Sequence, residues 1–385
     1  MRIAHIITRM ILGGAQENTL LSCEGSMRRY GAEVLLITGP ALGPEGSLLE
    51  RARAGGVPLE IVPELRRSIH PWRDLRSYWK IKKLLGQFRP DVAHTHSAKG
   101  GILGRAAAAK LGVPAIVHTV HGAPFHPHQN AVAREFSRRC ERWAARRCHA
   151  LVSVSDAMTD LMVENHIAPR EKFTTIYSGL EIEPLLAADS KRAAVRTELG
   201  YGPEHFVIGK IARLFNLKGH EYLVRAAPAI VAAWPNARFL LVGDGALRKR
   251  IESQVAAIGL TDRFKFLGLV APERIPELIA AMDVVVHASL REGLARTLAQ
   301  ALLVGRPVVS YDIDGAREVV IHGETGYLLP PKSVDDLVQA MSRLAADPAL
   351  RARMGLTGRR QFADRFRHER MVDELHRLYD RLLAK

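Results

Sequence analysis

The chain has 385 residues, 47% of them hydrophobic, 25% charged and 6% aromatic, enough for two domains with a core each and too apolar for wholesale disorder. Its three cysteines, Cys23, Cys140 and Cys148, exclude a disulfide framework, and no apolar run reaches membrane-spanning length. The formal charge of +15 is concentrated in residues 1–180, which carry 25 Lys and Arg against 15 Asp and Glu, with the surplus in 66–89 and 134–147. That surplus favours anionic partners such as nucleic acid, acidic headgroups or phosphorylated small molecules. A reducing, cytoplasmic setting without a secretory signal is expected.

In chain order, residues 2–7 read as a short strand, followed by a Gly13-Gly14 loop and a helix to about Tyr30. Strands at 34–38, 91–95, 115–119 and 150–155 follow, with helices at 97–111 and 131–147 between them. A second series has strands at 206–212, 237–242, 264–267, 283–288, 307–311 and 326–329, and helices at 220–233, 246–258, 275–281 and 297–304. Residues 334–385 read as helical, with Leu375, Leu378, Leu382 and Leu383 at helical spacing. The expected fold class is α/β, two facing Rossmann-like doubly wound parallel sheets with the ligand cleft between them. The expected domains are 1–180, 181–365 and a 366–385 helix packing back on the first domain.

One strand of the second series runs into Arg213-Leu-Phe-Asn-Leu-Lys218-Gly219 and then a helix. Two fixed cations beside unpaired helix N–H groups suit a diphosphate, although the spacing is not that of a Walker A loop. Further on, a strand ends at Ala288, a loop carries Glu292-Gly293, and a helix starts near Ala295. Gly293 permits close backbone approach, which makes a second anion cradle. Glu292 repels phosphate, so its carboxylate is suited to sugar hydroxyls. Asp312, Asp314 and Glu318 lie near another strand end but do not read as a hydrolase carboxylate pair, and no nucleophile motif or H-E-x-x-H is present.

The order Arg213…Lys218-Gly219, Gly243-Asp-Gly245, Phe266-Leu-Gly268, Glu292-Gly293, Gly305-x-Pro307 resembles the family-four glycosyltransferases of the GT-B fold. The first half agrees through Gly13-Gly14-Ala-Gln16, Asp91-Val-Ala-His94-Thr-His96 and Thr119-Val-His121-Gly122. The resemblance implies a retaining hexosyltransferase that uses a nucleoside-diphosphate sugar (UDP- or GDP-linked) as donor, holds no permanent cofactor and needs no metal ion. It implies a saccharide or lipid-linked acceptor in surface polysaccharide or glycolipid synthesis. Arg213 and Lys218 would hold the pyrophosphate, Glu292 the sugar hydroxyls, and the amides of Gly293, Leu294, Ala295, Arg296 and Thr297 the phosphates. Gly268, Leu269 and Val270 would meet the base, Gly243 would line the donor site, Gly13 and Gly14 would approach the diphosphate, and His121 would sit near the reacting sugar. Gln300 stands where many members place a second glutamate for the ribose hydroxyls, and Leu294-Ala295 where many place Phe-Gly. An amide there still accepts and donates a hydrogen bond, without the charge-assisted part.

His121, His126 and His128 share one loop, without the spacing or cysteines of a zinc motif. His94 and His96 alternate along a strand and are expected on opposite faces, one of them packed. The amphipathic 131–150 stretch reads either as a helix covering its own sheet or as peripheral contact of the first domain with an anionic membrane, at its inner face. A nucleotide-sugar epimerase on the same fold is the alternative. A basic nucleic-acid-binding protein is a weaker one, since no reading motif accompanies the charge.

Overall fold

The computed structural model describes residues 1–43, 46–127 and 129–384; His128 lies outside them. It divides into two compact units, residues 1–179 with 368–385, and residues 180–367. The first unit contains a seven-stranded sheet, β1 (Arg2–Ile7), β2 (Glu33–Thr38), β3 (Leu59–Ile61), β4 (Val92–His96), β5 (Ala115–Val120), β6 (Ala150–Ser153) and β7 (Phe173–Thr175). Every pairing is parallel, in the order β3-β2-β1-β4-β5-β6-β7. Its helices are α1 (Gly14–Tyr30), α2 (Leu49–Ala54), α3 (Pro71–Phe88), α4 (Ala98–Lys110), α5 (Ala131–Ala145) and α6 (Asp156–Glu164). Helices on both faces leave the central strands buried throughout, which is why β4 and β5 expose no residue.

The second unit begins with α7 (Ile182–Ala187) and α8 (Arg192–Glu198). Alternating elements follow: β8 (Phe206–Ile211), α9 (His220–Ala233), β9 (Ala237–Val242), α10 (Arg248–Ala257), β10 (Phe264–Gly268), α11 (Ile275–Ala281), β11 (Val284–His287), α12 (Arg296–Val304), β12 (Val308–Tyr311) and β13 (Gly326–Leu329). Helices α13 (Val334–Ala346) and α14 (Pro348–Phe362) close the unit. Its six strands are parallel in the order β10-β9-β8-β11-β12-β13. In each sheet the strand order reverses beside the strand that comes first in the chain, between β1 and β4 and between β8 and β11. Such reversals open a crevice beyond the carboxyl ends of the strands, where ligands bind.

The last helix, α15 (His368–Leu383), belongs to the first unit. Its Met371, Val372, Leu375, Leu378 and Tyr379 share a core with Leu20, Leu21 and Cys23 of α1. The polar rim is specific too, with Arg29 and Tyr30 both on the Asp373 carboxylate. The 334–385 stretch read as one helical tail is therefore three helices. Asp347 ends the first and caps the second, its Oδ1 accepting from Leu350 N–H with Pro348 in the first turn.

One expectation is corrected by the register. His5 lies opposite His94 on the neighbouring strand, and the His94 and His96 ring centroids are 4.3 Å apart. Residues two apart on a strand share a face, so these histidines point the same way rather than to opposite sides. All three are fully buried. Among the described residues no helix is long and apolar enough to cross a membrane.

Candidate active site

In the second unit the loop after β8 and the loop after β11 meet at the strand-order reversal. Lys218 Nζ lies 2.5 Å from Glu292 Oε1. A backbone contact fixes this meeting, Leu290 N–H donating to the Leu217 carbonyl (2.8 Å), while Leu214 N–H donates to that of Asp244 in the loop after β9 (3.0 Å). Gly219 adopts φ 68°, and a Cβ there would fall 1.8 Å from the Ala288 carbonyl oxygen, so only glycine lets the first loop seat against the end of β11. Two side chains to which the sequence assigned no role support Glu292. Its N–H donates to Asp314 Oδ2 (2.6 Å), and Oε1 also faces His287 Nε2 (3.3 Å).

The electrostatics follow from this packing. Burial raises the Glu292 carboxyl, but the Lys218 ammonium and His287 outweigh it and hold the group well below the usual carboxylate range. Glu292 is thus an anion committed to Lys218. Behind the pair, Lys210 of β8 is 1% exposed, and its Nζ has no hydrogen-bond partner among the described residues. Burial first, and then the Lys218 charge, press it down to about 7, against a smaller upward pull from Glu292 and Glu221. His220, at the start of α9, is lowered to about 2 by burial and by both lysines. A buried lysine amine with no hydrogen-bond partner among the described residues, near a lysine shared with one carboxylate, favours an anion at this loop junction.

The other sequence-derived positions surround that centre unevenly. Arg213 is on the same loop as Lys218, its guanidinium 5.2 Å from the Phe215 ring centroid. Gly293, Leu294 and Ala295 are buried, and Arg296 and Thr297 form the first turn of α12, with Thr297 Oγ1 3.5 Å from the Ile211 carbonyl. Gln300 is half-buried further along α12. Gly243 N–H donates to the Gly268 carbonyl (2.9 Å), which ties the ends of β9 and β10 together. Gly268 itself is buried, Leu269 is exposed and Val270 half-buried, two strands away from β8. In the first unit Gly13 and Gly14 follow β1, Gly13 with extended backbone preceding α1.

His121, just past β5, joins a buried histidine chain. His5 Nδ1 and His96 Nε2 are 3.0 Å apart, and His96 Nδ1 and His121 Nε2 are 3.1 Å apart. His94 uses both ring nitrogens on hydroxyls, Tyr379 (2.5 Å) and Thr119 (2.7 Å). Burial lowers His5 to about 3 and takes His94 and His96 well below their usual value, so these three are neutral. One nitrogen from each of His5, His94 and His96 lies within 4.8 Å of the others, close enough for metal ligation. Hydrogen bonds already occupy His94 and His96 fully, and the set fits a proton-ordered network better than a metal centre.

Some of these residues left a trace in the sequence. Lys210 interrupts an otherwise apolar strand, and His287 and Glu292 flank one strand end. Tyr379 lies nearly three hundred residues from His94 and left none.

Two family models match the chain, "Glycosyl transferase 4-like domain" over residues 13–179 and "Glycosyl transferases group 1" over residues 192–361. A UDP-Gal:alpha-D-GlcNAc-diphosphoundecaprenol alpha-1,3-galactosyltransferase of Escherichia coli is 28% identical over 98% of this chain and 96% of its own. A 2-deoxystreptamine glucosyltransferase of Streptomyces kanamyceticus is 28% identical over 84% of this chain and 87% of its own. Anabaena Alr3699/HepE, solved with UDP and glucose, shares the fold with a TM-score of 0.86 at 23% identity, covering 99% of both chains. With two doubly wound parallel sheets and both family models in order along it, the chain belongs to the family-four glycosyltransferases of the GT-B fold.

Proposed function

We propose that the protein is a retaining, metal-independent transferase that moves a hexose-type sugar from a nucleoside-diphosphate sugar to a lipid-linked or saccharide acceptor. The observation that carries the donor side is the Lys218–Glu292 pair backed by the buried Lys210. As the sugar–phosphate bond breaks, negative charge grows on the leaving diphosphate, and preorganised cations beside it lower that barrier. Lys218 and Arg213 meet this charge, with Lys218 shared between Glu292 and the phosphates. Glu292, held ionised, accepts hydrogen bonds from sugar hydroxyls. The first amides of α12, following Gly293, Leu294 and Ala295, receive phosphate oxygens. Gly243, the Gly268–Val270 turn and Gln300 take the nucleoside, and Gly13 and Gly14 approach the diphosphate. His121 hydrogen-bonds a hydroxyl of the transferred sugar, its ring oriented by His96.

Uridine is the favoured base, because the E. coli relative's name specifies UDP-Gal and the HepE complex holds UDP. Transferase action is favoured over epimerisation, since both matching family models describe transferases. Peripheral attachment to an anionic membrane on the cytoplasmic side is supported by the basic first unit and by the lipid-linked acceptor in the E. coli relative's name. The test is a panel of UDP- and GDP-sugars assayed for sugar transfer to a polyisoprenyl-diphosphate saccharide in the presence of EDTA. Transfer from one UDP-hexose with the anomeric configuration kept is expected. Donor turnover without any acceptor product, or a requirement for added divalent metal, would count against this reading.

A further inference from the structure

Three acids follow β12, the strand paired with the one that delivers Glu292, and they do different things. Asp312 is closed off by Arg317, whose Nε and Nη2 reach its two oxygens at 2.6 and 2.5 Å. Glu318 ends the turn, its carbonyl accepting from Arg365 Nη1 at 3.0 Å. Asp314 is exposed and half used. Its Oδ2 accepts the Glu292 N–H at 2.6 Å, whereas Oδ1 makes no hydrogen bond among the described residues.

The backbone marks the same residue. Asp314 sits at φ 44°, in the left-handed region, while Gly315, which would take that conformation without steric cost, sits at φ −79°. A side chain in such a position persists because its surroundings hold it, and positions of this kind collect at ligand sites. Here the Glu292 amide holds the carboxylate, and the two arginines brace the turn on either side of it.

The sheet edge gives the direction of a bound donor. β8, β11 and β12 are neighbours, and the loops that follow them carry Lys218, Glu292 and Asp314 in that order. In the proposed reading the diphosphate lies at Lys218 and the sugar at Glu292, so the next loop along the line is that of Asp314. The Glu292 charge repels the Asp314 carboxylate, and Arg291 offsets part of this. Hydroxyl protons relieve what remains, since an ionised carboxylate can only accept.

We propose that Asp314 reads the transferred sugar: its Oδ1 accepts a hydrogen bond from a hexose hydroxyl that Glu292 does not hold. This deepens the proposed function and rests on it. An acceptor already fixed through its other oxygen loses little freedom on binding, and it discriminates against a sugar that lacks the hydroxyl.

Kinetics with the UDP-hexose that the wild-type chain transfers, and with analogues lacking one hydroxyl each, test this on the wild type, D314G and D314N. Glycine fits the left-handed backbone, so D314G folds without the parent's strain, and asparagine keeps an acceptor for the Glu292 N–H. In the wild type, loss of the hydroxyl that Asp314 reads should lower kcat/KM by about tenfold to hundredfold, as for a hydrogen bond to a charged acceptor. In D314G that penalty should vanish while the penalties of the other deoxygenations persist. D314N should retain part of it, because a neutral acceptor is weaker. A loss in D314G that falls equally on the parent donor and every analogue would reduce Asp314 to a prop for the loop and overturn the proposal. So would a wild type indifferent to every deoxygenation. Calorimetry with UDP, which has no sugar, tests the donor reading separately, and the wild type and D314G should bind it alike. UDP binding without any analogue-selective penalty removes the role of Asp314 alone, and a wild type that binds no UDP removes the donor reading and this inference together.

Discussion

Lys218 and Glu292 neutralise one another, and in the proposed mechanism the donor diphosphate competes for the lysine. Lys218→Ala should therefore lower turnover at saturating donor by about 10²–10³-fold, the usual loss for one preorganised donor to a developing anion. Glu292→Gln should do something different: slow transfer, yet tighten binding of free UDP, because the carboxylate that holds Lys218 has gone. Turnover and UDP calorimetry on the two variants separate these outcomes. Lys210 gives a pH signature. Its pKa is pressed from 10.5 to about 7 in the folded chain, so between those values the folded state holds fewer protons than the unfolded one. Stability then rises with pH across that window, and the burial penalty is full below pH 7. Lys210→Met should raise the unfolding free energy from urea titrations most near pH 6, by roughly 2–5 kcal/mol, with the gain shrinking towards pH 10. A diphosphate bound nearby should pull a proton onto Lys210, visible as buffer-dependent binding enthalpy near pH 7.5. At this scale the sequence was readable for Lys218 and Glu292, which lie on recognisable loops. It was silent on Asp314 as their support, since that contact joins residues 22 apart through a backbone N–H.

Among the elements, the long apolar strands announced themselves, and β3 with α3 did not. β3 is three residues long and mostly exposed, so it has no apolar run to read. α3 carries apolar residues on both its buried face and its outer stripe, which blurs the 3.6-residue pattern. The return of the last helix to the first unit was expected from the sequence, but its seat on α1 was not. Its tightness lies in Gly25, where a Cβ would come within 2.4 Å of Val372 Cγ2. Gly25→Val should overpack this seam and destabilise the first unit by about 1–3 kcal/mol, and Val372→Ala in the same chain should recover part of the loss. Urea midpoints for the single and double variants give the answer.

For the molecule as a whole, the buried histidines make the first unit sensitive to acid. His5, His94, His96 and His118 are neutral when folded, with values lowered chiefly by burial, His5 to about 3. Below about pH 6.5 the unfolded chain takes up protons that the folded one refuses, so stability falls as pH drops. Each histidine inside its window adds a slope of about 1.4 kcal/mol per pH unit. Hydrogen exchange at pH 5 should therefore show protection lost across β1, β4 and β5 before it is lost in the second sheet. The path of the chain carries a last consequence. It leaves the first unit after Gly179 and re-enters at His368, and a Cβ on Gly179 would lie 2.5 Å from the His368 Cα. The second unit is thus a parenthesis in the first, opened and closed at adjoining points. A gene spliced to run from Gly179 through a short glycine bridge into His368 would encode a self-contained N-terminal fold, whereas a stop codon after Arg367 would strip Val372, Leu375 and Tyr379 from its interior and leave it unable to stand alone.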